Sequence, residues 1–189
     1  MSRVYLIRHA KPSATWGGDD DDPGLDAQGQ AQAQAAAETL LALPADQCPT
    51  RVVSSPLRRC RETAQIFADA IGVVVEIDPA VGEIPTPSAL SAEERGPWLR
   101  KAFTGRWAEI EGDLDYDAWR DTVLSAVASR ENAAVFSHFV AINAALTRLA
   151  DEPQVITLRP DHASISVFDL ENGVLTLVER GPEAATGVL

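Results

Sequence analysis

Arg8 and His9 stand directly after the short apolar run Val4-Tyr5-Leu6-Ile7. Arginine carries a fixed fork of donors that can clamp phosphate oxygens, and a neutral histidine can attack phosphorus as a nucleophile. Taken alone, the pair also reads as a strand ending in two solvated polar residues. Three other stretches repeat the arrangement. Ser55-Pro56-Leu57-Arg58-Arg59-Cys60-Arg61 follows the apolar pair Val52-Val53, Gly82-Glu83 lies in a loop after residues 73–77, and Ser137-His138 follows Ala133-Ala134-Val135-Phe136. A sheet that aligns these strands collects two histidines, two arginines and one carboxylate at a single edge. In open α/β sheets, ligands bind just outside the carboxyl ends of the strands.

The elements that must hold these residues follow from local pattern. Residues 27–43, rich in alanine and glutamine, predict a helix with Asp26 as N-cap and Pro44 as its stop. Gly29 in its first turn permits close packing on a neighbour. Residues 57–71 predict a second helix, opened by Pro56 and ended by Gly72, with Leu57, Cys60, Ala64 and Phe67 or Ala68 on one stripe. Arg58, Arg59 and Arg61 oppose the dipole at its start unless an anion binds there; Arg58 and Arg61 also read as a solvated basic face. Further helices are predicted over 88–103, 115–130 and 139–149, with Trp98, Phe103, Trp107, Tyr116 and Trp119 as core or cleft wall. Asn172-Gly173 marks a hairpin between 163–170 and 174–178. The run Asp19-Asp20-Asp21-Asp22 is read as a solvated loop beside the site, because consecutive carboxylates do not all converge on one ion.

A chain of 189 residues, 46% hydrophobic and 23% charged, fits one domain over 1–189. A net charge of −12 argues against nucleic acid and anionic membranes as partners, since both call for a basic face. An anionic substrate must then be held by a local cationic pocket. Two cysteines without metal-ligand spacing, no leader and no spanning apolar run make a cytoplasmic protein the expectation.

Leu6-Ile7-Arg8-His9-Ala10 resembles the Arg-His-Gly motif of the histidine phosphatase superfamily, the phosphoglycerate mutase-like family, with Ala10 at the glycine. Residues 25–33 are similar to its Leu-Thr-x-x-Gly-x-x-Gln-Ala helix start, and residues 55–64 resemble Ser-x-Leu-x-Arg-Ala-x-x-Thr-Ala. Ser137-His138-Phe139 resembles Ser-His-Gly with phenylalanine at the glycine, and His162-Ala163-Ser164-Ile165 a late Asn-x-Ser-Ile segment. The resemblance is weakest over 84–130. It implies a three-layer αβα sandwich with a mostly parallel central sheet and helices on both faces. It selects Arg59 as the phosphate-binding arginine and implies that His9 becomes phosphohistidine, that Arg8, Arg59 and His138 hold the phosphoryl oxygens, and that Glu83 is the proton donor. No metal or other cofactor is expected, because the arginines supply the charge. His162 is open between a structural and a catalytic role.

These readings favour a metal-independent phosphomonoesterase acting on a phosphorylated small molecule or a phosphohistidine protein. A phosphoglycerate mutase on the same scaffold is the alternative; an idle phospholigand-binding module would need neither nucleophile nor acid. Hydrolysis is expected over transfer. The interval from Glu83 to His138 has room for two helices and their loops but little for an added lid, and the acidic loop over 16–24 is a poor clamp for a bisphosphate.

Overall fold

The structure, a computed structural model, describes residues 2–14 and 20–185. Its elements in chain order are β1 (Ser2–Arg8), α1 (Ala27–Leu41), β2 (Arg51–Ser54), α2 (Arg58–Ile71), β3 (Val75–Ile77), a 3-10 turn (Pro79–Val81), α3 (Ala92–Phe103), a second 3-10 turn (Trp107–Glu109), α4 (Tyr116–Ala128), β4 (Ala133–Ser137), α5 (Phe139–Leu149), β5 (Ile165–Glu171) and β6 (Val174–Glu179). The strands form one sheet in the order β3-β2-β4-β1-β5-β6. Strands β3, β2, β4 and β1 run parallel, while β5 is antiparallel to β1 and to β6. The expected mostly parallel αβα sandwich is the architecture found.

Strand alternation decides which helix each residue meets. Val4 and Leu6 join a core with Val123, Val127, Ile142 and Leu146 of α4 and α5. Tyr5 and Ile7 join a second core with Leu40 of α1 and Phe67 of α2. Both faces of the central strands are therefore covered, which is why they read as unbroken apolar runs.

Several expected boundaries shift. The first helix ends at Leu41, short of Pro44, and α2 begins at Arg58 with Pro56 outside it. The third strand shortens to Val75–Ile77. The helix expected from residue 88 begins at Ala92, because Ser91 and Glu94 form a reciprocal capping box. Gly72 closes α2 at φ 71°, and Asn172 and Gly173, at φ 51° and 78°, make the hairpin turn. Of the acidic run, Asp20 and Asp21 are exposed and Asp22 is half-buried, while Asp19 lies outside the described residues.

Gly29 fulfils its expectation closely. Asp26 caps α1 by accepting from the Gly29 amide at 2.7 Å, and the chain leaving β1 crosses this same turn. A Cβ on Gly29 would lie 2.1 Å from the Lys11 carbonyl oxygen, which is backbone. Gly29→Ala should therefore destabilise the fold by about 3 kcal/mol, the upper part of the overpacking range, seen as an earlier urea midpoint. An unchanged midpoint would show that the Lys11 strand exit can move aside.

Candidate active site

The parallel pairing of β1 with β4 sets Arg8 opposite Ser137, and the His9 amide donates to the Ser137 carbonyl at 2.9 Å. The two residues that follow, His9 and His138, consequently stand side by side, their ring centroids 5.3 Å apart. Strand β2 lies on the other side of β4 and delivers Ser55 and the start of α2 to the same edge. Ser137 Oγ donates to the Val81 carbonyl at 2.7 Å, which pins the loop that carries Glu83.

His9 is 5% exposed. Its Nδ1 lies 2.8 Å from the Ala10 carbonyl oxygen. A carbonyl only accepts, so Nδ1 carries the proton and Nε2 keeps its lone pair. Burial first, then His138, Arg8 and Arg59, hold the His9 pKa well below 6.5. The ring is neutral and its Nε2 is nucleophilic near neutral pH.

Arg8 donates through Nη1 to the Pro160 carbonyl at 2.9 Å. Its Nε is buried without a hydrogen-bond partner among the described residues. Burial lowers its pKa to about 10, so it stays charged at neutral pH. The Pro160 segment is itself fixed from α5: Asn143 Oδ1 accepts from the Thr157 and Leu158 amides, and Asn143 Nδ2 donates to the Leu158 carbonyl.

Arg59 is the buried member of the arginine trio, while Arg58 and Arg61 are exposed. The anion expected at the start of α2 is supplied by the chain itself. Asp22 accepts from the Arg58 amide at 2.7 Å and lies 4.0 Å from Arg61, and Glu62 pairs with Arg58 at 2.7 Å. Asp22, read from sequence as part of a solvated loop, thus caps α2, whose N-cap residue Leu57 offers no side-chain acceptor.

His138 is fully buried. Its Nε2 lies 2.7 Å from Ser55 Oγ and 3.4 Å from Cys60 Sγ; its Nδ1 lies 3.4 Å from Arg59 Nη2. Arginine has donors only, so Nδ1 is the acceptor of that contact and Nε2 carries the proton. Burial and then Arg59 keep the His138 pKa well below 6.5. The Glu83 side chain is 7% exposed, with Oε2 3.8 Å from Arg59 Nη2 and 3.5 Å from His138 Nδ1. Burial raises its pKa against the opposing pull of Arg59 and of the Ile84 amide, which favours the protonated acid.

The structure therefore brings all five expected residues, Arg8, His9, Arg59, Glu83 and His138, to one sheet edge. It adds the third and last histidine of the chain: the His162 ring lies 5.8 Å from that of His9, with its pKa lowered to about 4 by burial and then Arg8. Two supporting features carry a role that the sequence reading gave neither of them. Arg95 of α3 is half-buried and is felt electrostatically by Glu83 and His138; it falls in the stretch where motifs are faintest. Thr63 accepts from the Ala10 amide at 3.0 Å and donates to the Arg59 carbonyl at 2.6 Å. It was visible as a helix residue four positions after Arg59, a spacing that places a hydroxyl against the i−4 carbonyl. Among the described residues no group of three or more His, Cys, Asp or Glu side chains is arranged to hold a metal ion.

A doubly covered α/β sheet with two histidines, two arginines and one carboxylate at the carboxyl end of its parallel strands defines a class built to handle phosphoryl groups. The model of the histidine phosphatase superfamily (branch 1) matches residues 4–181, and the chain belongs to that superfamily. A 2,3-bisphosphoglycerate-dependent phosphoglycerate mutase of Thermoplasma acidophilum is 30% identical over 189 residues, covering 94% of this chain and 92% of the mutase. Two solved structures share the fold. A phosphoserine phosphatase of Entamoeba histolytica aligns with TM-score 0.73 at 18% identity, over 98% of each chain. A mycobacterial glucosyl-3-phosphoglycerate phosphatase aligns with TM-score 0.69 at 20% identity, over 97% of this chain and 100% of the other. No helix among the described residues is long and apolar enough to cross a membrane.

The buried histidines make stability depend on pH in a definite direction. The unfolded chain protonates them below about pH 6.5, whereas the fold keeps His9 and His138 neutral. Their contribution is complete above pH 6.5 and is lost as pH falls below it, by about 1.4 kcal/mol per pH unit for each histidine. Glu83 works oppositely: its contribution is present below 4.5 and is lost as pH rises through its raised pKa. Urea unfolding between pH 5 and 7 should show stability falling toward acid, less steeply in His138→Asn. Parallel slopes for the two proteins would contradict the neutral, buried His138.

Proposed function

We propose that the protein is a metal-independent phosphomonoesterase that hydrolyses a small phosphorylated substrate through a phosphohistidine on His9. One observation carries the reading. The Ala10 carbonyl accepts a hydrogen bond from Nδ1–H of His9, and this leaves the Nε2 lone pair among Arg8, Arg59 and His138, beside Glu83, whose pKa burial raises.

The steps follow from these groups. Nε2 of His9 attacks phosphorus while the ester P–O bond breaks, and the Glu83 proton passes to the leaving oxygen. The positive charge that forms on the His9 ring is stabilised by the Ala10 carbonyl dipole at Nδ1–H. Arg8 and Arg59 bear on the equatorial oxygens, where fixed donors do most of the catalytic work; His138 joins them as a donor when its proton moves from Nε2 to Nδ1, Ser55 Oγ then donating to Nε2. Glu83, now a carboxylate, takes a proton from water; the water oxygen attacks phosphorus, the P–N bond breaks, and phosphate leaves with His9 neutral again. Because Glu83 lies 3.8 Å from Arg59 and 3.5 Å from His138 in the structure, the entering phosphoryl group must share or take over those contacts. That exchange delivers the acid beside the ester oxygen.

Rapid quenching with labelled substrate should trap an acid-labile phosphoenzyme in the wild type and none in His9→Ala. An adduct persisting in His9→Ala would sink the assignment. Glu83→Gln should slow substrates with poor leaving groups by about 10²- to 10⁴-fold, the usual worth of a positioned acid, and substrates with good ones far less.

The name of the Thermoplasma acidophilum relative favours a second reading, a phosphoglycerate mutase. Phosphatase names on the two structural neighbours, and a Glu83-to-His138 interval occupied by α3, a 3-10 turn, α4 and β4, support hydrolysis instead. Incubation with 3-phosphoglycerate and catalytic 2,3-bisphosphoglycerate separates them. Release of inorganic phosphate from monoesters, with little 2-phosphoglycerate, is the expected result; rapid 2-phosphoglycerate formation with little free phosphate would make the protein a mutase.

A further inference from the structure

Phe139 follows His138 at the start of α5, where the sequence departs from the glycine of the motif it otherwise resembles. It is 5% exposed, and its ring lies against Arg8, with the guanidinium Cζ 5.2 Å from the ring centroid. Phe103, the last residue of α3, stacks on Phe139 with centroids 5.4 Å apart and planes 28° apart. A guanidinium and two aromatic rings thus join the end of β1, the start of α5 and the end of α3.

The chemistry of Arg8 gives this stack a use. A buried arginine is ordinarily held by a carboxylate, which occupies its N–H edge and cancels its charge. Among the described residues no carboxylate lies within ion-pair distance of Arg8. Its polar anchor is a neutral one, the Pro160 carbonyl at Nη1, and its Nε is buried without a partner. An aromatic ring attracts a guanidinium through the flat face of the cation and leaves the N–H edge uncommitted. Alternation along β1 explains why the contact is with α5: Arg8 shares the strand face of Val4 and Leu6, which pack with α5, and not that of Tyr5 and Ile7.

We propose that Phe139 is a positioning residue: braced by Phe103, it holds Arg8 by its face and keeps the N–H edge available to phosphoryl oxygens. The proposal rests on the reading above only in taking phosphate to be what Arg8 meets.

Phe139→Leu, Phe139→Met, Phe139→Tyr and Phe103→Leu, with Phe67→Leu as a control in the opposite core, test it. Orthophosphate affinity, KM and kcat for p-nitrophenyl phosphate, and melting temperature are measured for each. Phe139→Leu should weaken orthophosphate binding and raise KM by on the order of 10-fold, the size of a desolvated cation–π contact, with kcat changed less. Phe139→Met, which fills the volume without a ring, should do the same, so the test survives if the leucine variant fails to fold. Phe139→Tyr should restore binding. Phe103→Leu should act in the same direction, and its combination with Phe139→Leu should be less than additive. Phe67→Leu should lower the melting temperature and leave orthophosphate affinity alone. If Phe139→Leu or Phe139→Met melts earlier yet binds orthophosphate like the wild type, or if tyrosine fails to restore binding, Phe139 is core filling and the proposal falls while the phosphatase reading stands. If the ring-dependent loss of binding is seen but the wild type turns over no phosphomonoester, only the hydrolase reading falls. A wild type that binds no orthophosphate overturns both.

Discussion

The site depends on one backbone pairing, β1 with β4 in parallel, with Arg8 opposite Ser137. Sheet hydrogen bonds fix this register to a single value, because a slip of one residue would turn every side chain to the wrong face. The register alone makes neighbours of two histidines that are far apart in sequence. Alternation then divides the labour of adjacent residues: Arg8 leans toward α5 and Phe139, while the chain after His9 runs toward the N-terminal half of α2, where Thr63 holds the Ala10 amide. Strand β2 completes the edge from the other side of β4 by bringing Ser55 under His138 and Arg59 beside it.

Electrostatically the site is the inverse of the molecule around it. The chain carries a formal charge of −12, yet the described groups around the site include two buried arginines and a half-buried third, with Glu83 and Asp161 as nearby carboxylates. Long-range attraction of an anion is weak in such a protein, and screening limits it further, to about 8–10 Å in physiological salt. Recognition therefore falls to donors already in place inside a low-dielectric pocket, where they act strongly and cost little reorganisation. Burial of Arg8 without a carboxylate is destabilising for the fold; under the proposed function it is the energetic counterpart of holding a cation ready for phosphate.

Much of this was legible in sequence. Three apolar runs that stop at Arg8-His9, Ser55 and Ser137-His138 announce strand ends, and Glu83 follows a fourth segment. Legibility was good because each of these side chains except Glu83 sits within two residues of a strand, where local pattern and tertiary position coincide; Glu83 lies six residues past β3, just after a 3-10 turn. Asp26, Gly29, Gly72 and Asn172-Gly173 were readable for the same reason: caps and turns are fixed by their own residues. What stayed hidden depends on distant packing. Nothing local marks Asp22 as the cap of a helix that begins at residue 58, or Arg95 as a neighbour of Glu83. Phe139 was visible as a departure from a motif, but its contact with Arg8 follows only from the strand face on which Arg8 falls. The starts of β3 and α3 differ from expectation because β3 is an edge strand held by few residues and α3 begins where Ser91 and Glu94 satisfy each other.

The strand order has a consequence for how the chain is made. Strand β4 fills the gap between β1 and β2, which have no ladder with each other. As the polypeptide emerges from the ribosome, residues 2–54 supply two apolar strands whose facing edges stay open until residues 133–137 arrive. These are long-range pairings with a large loop-closure cost, the kind that fold slowly and expose sticky edges meanwhile. His9, Arg59 and His138 share one edge only once β4 has paired with both β1 and β2, so a nascent chain that ends before β4 lacks the strand that joins the two halves of the proposed site.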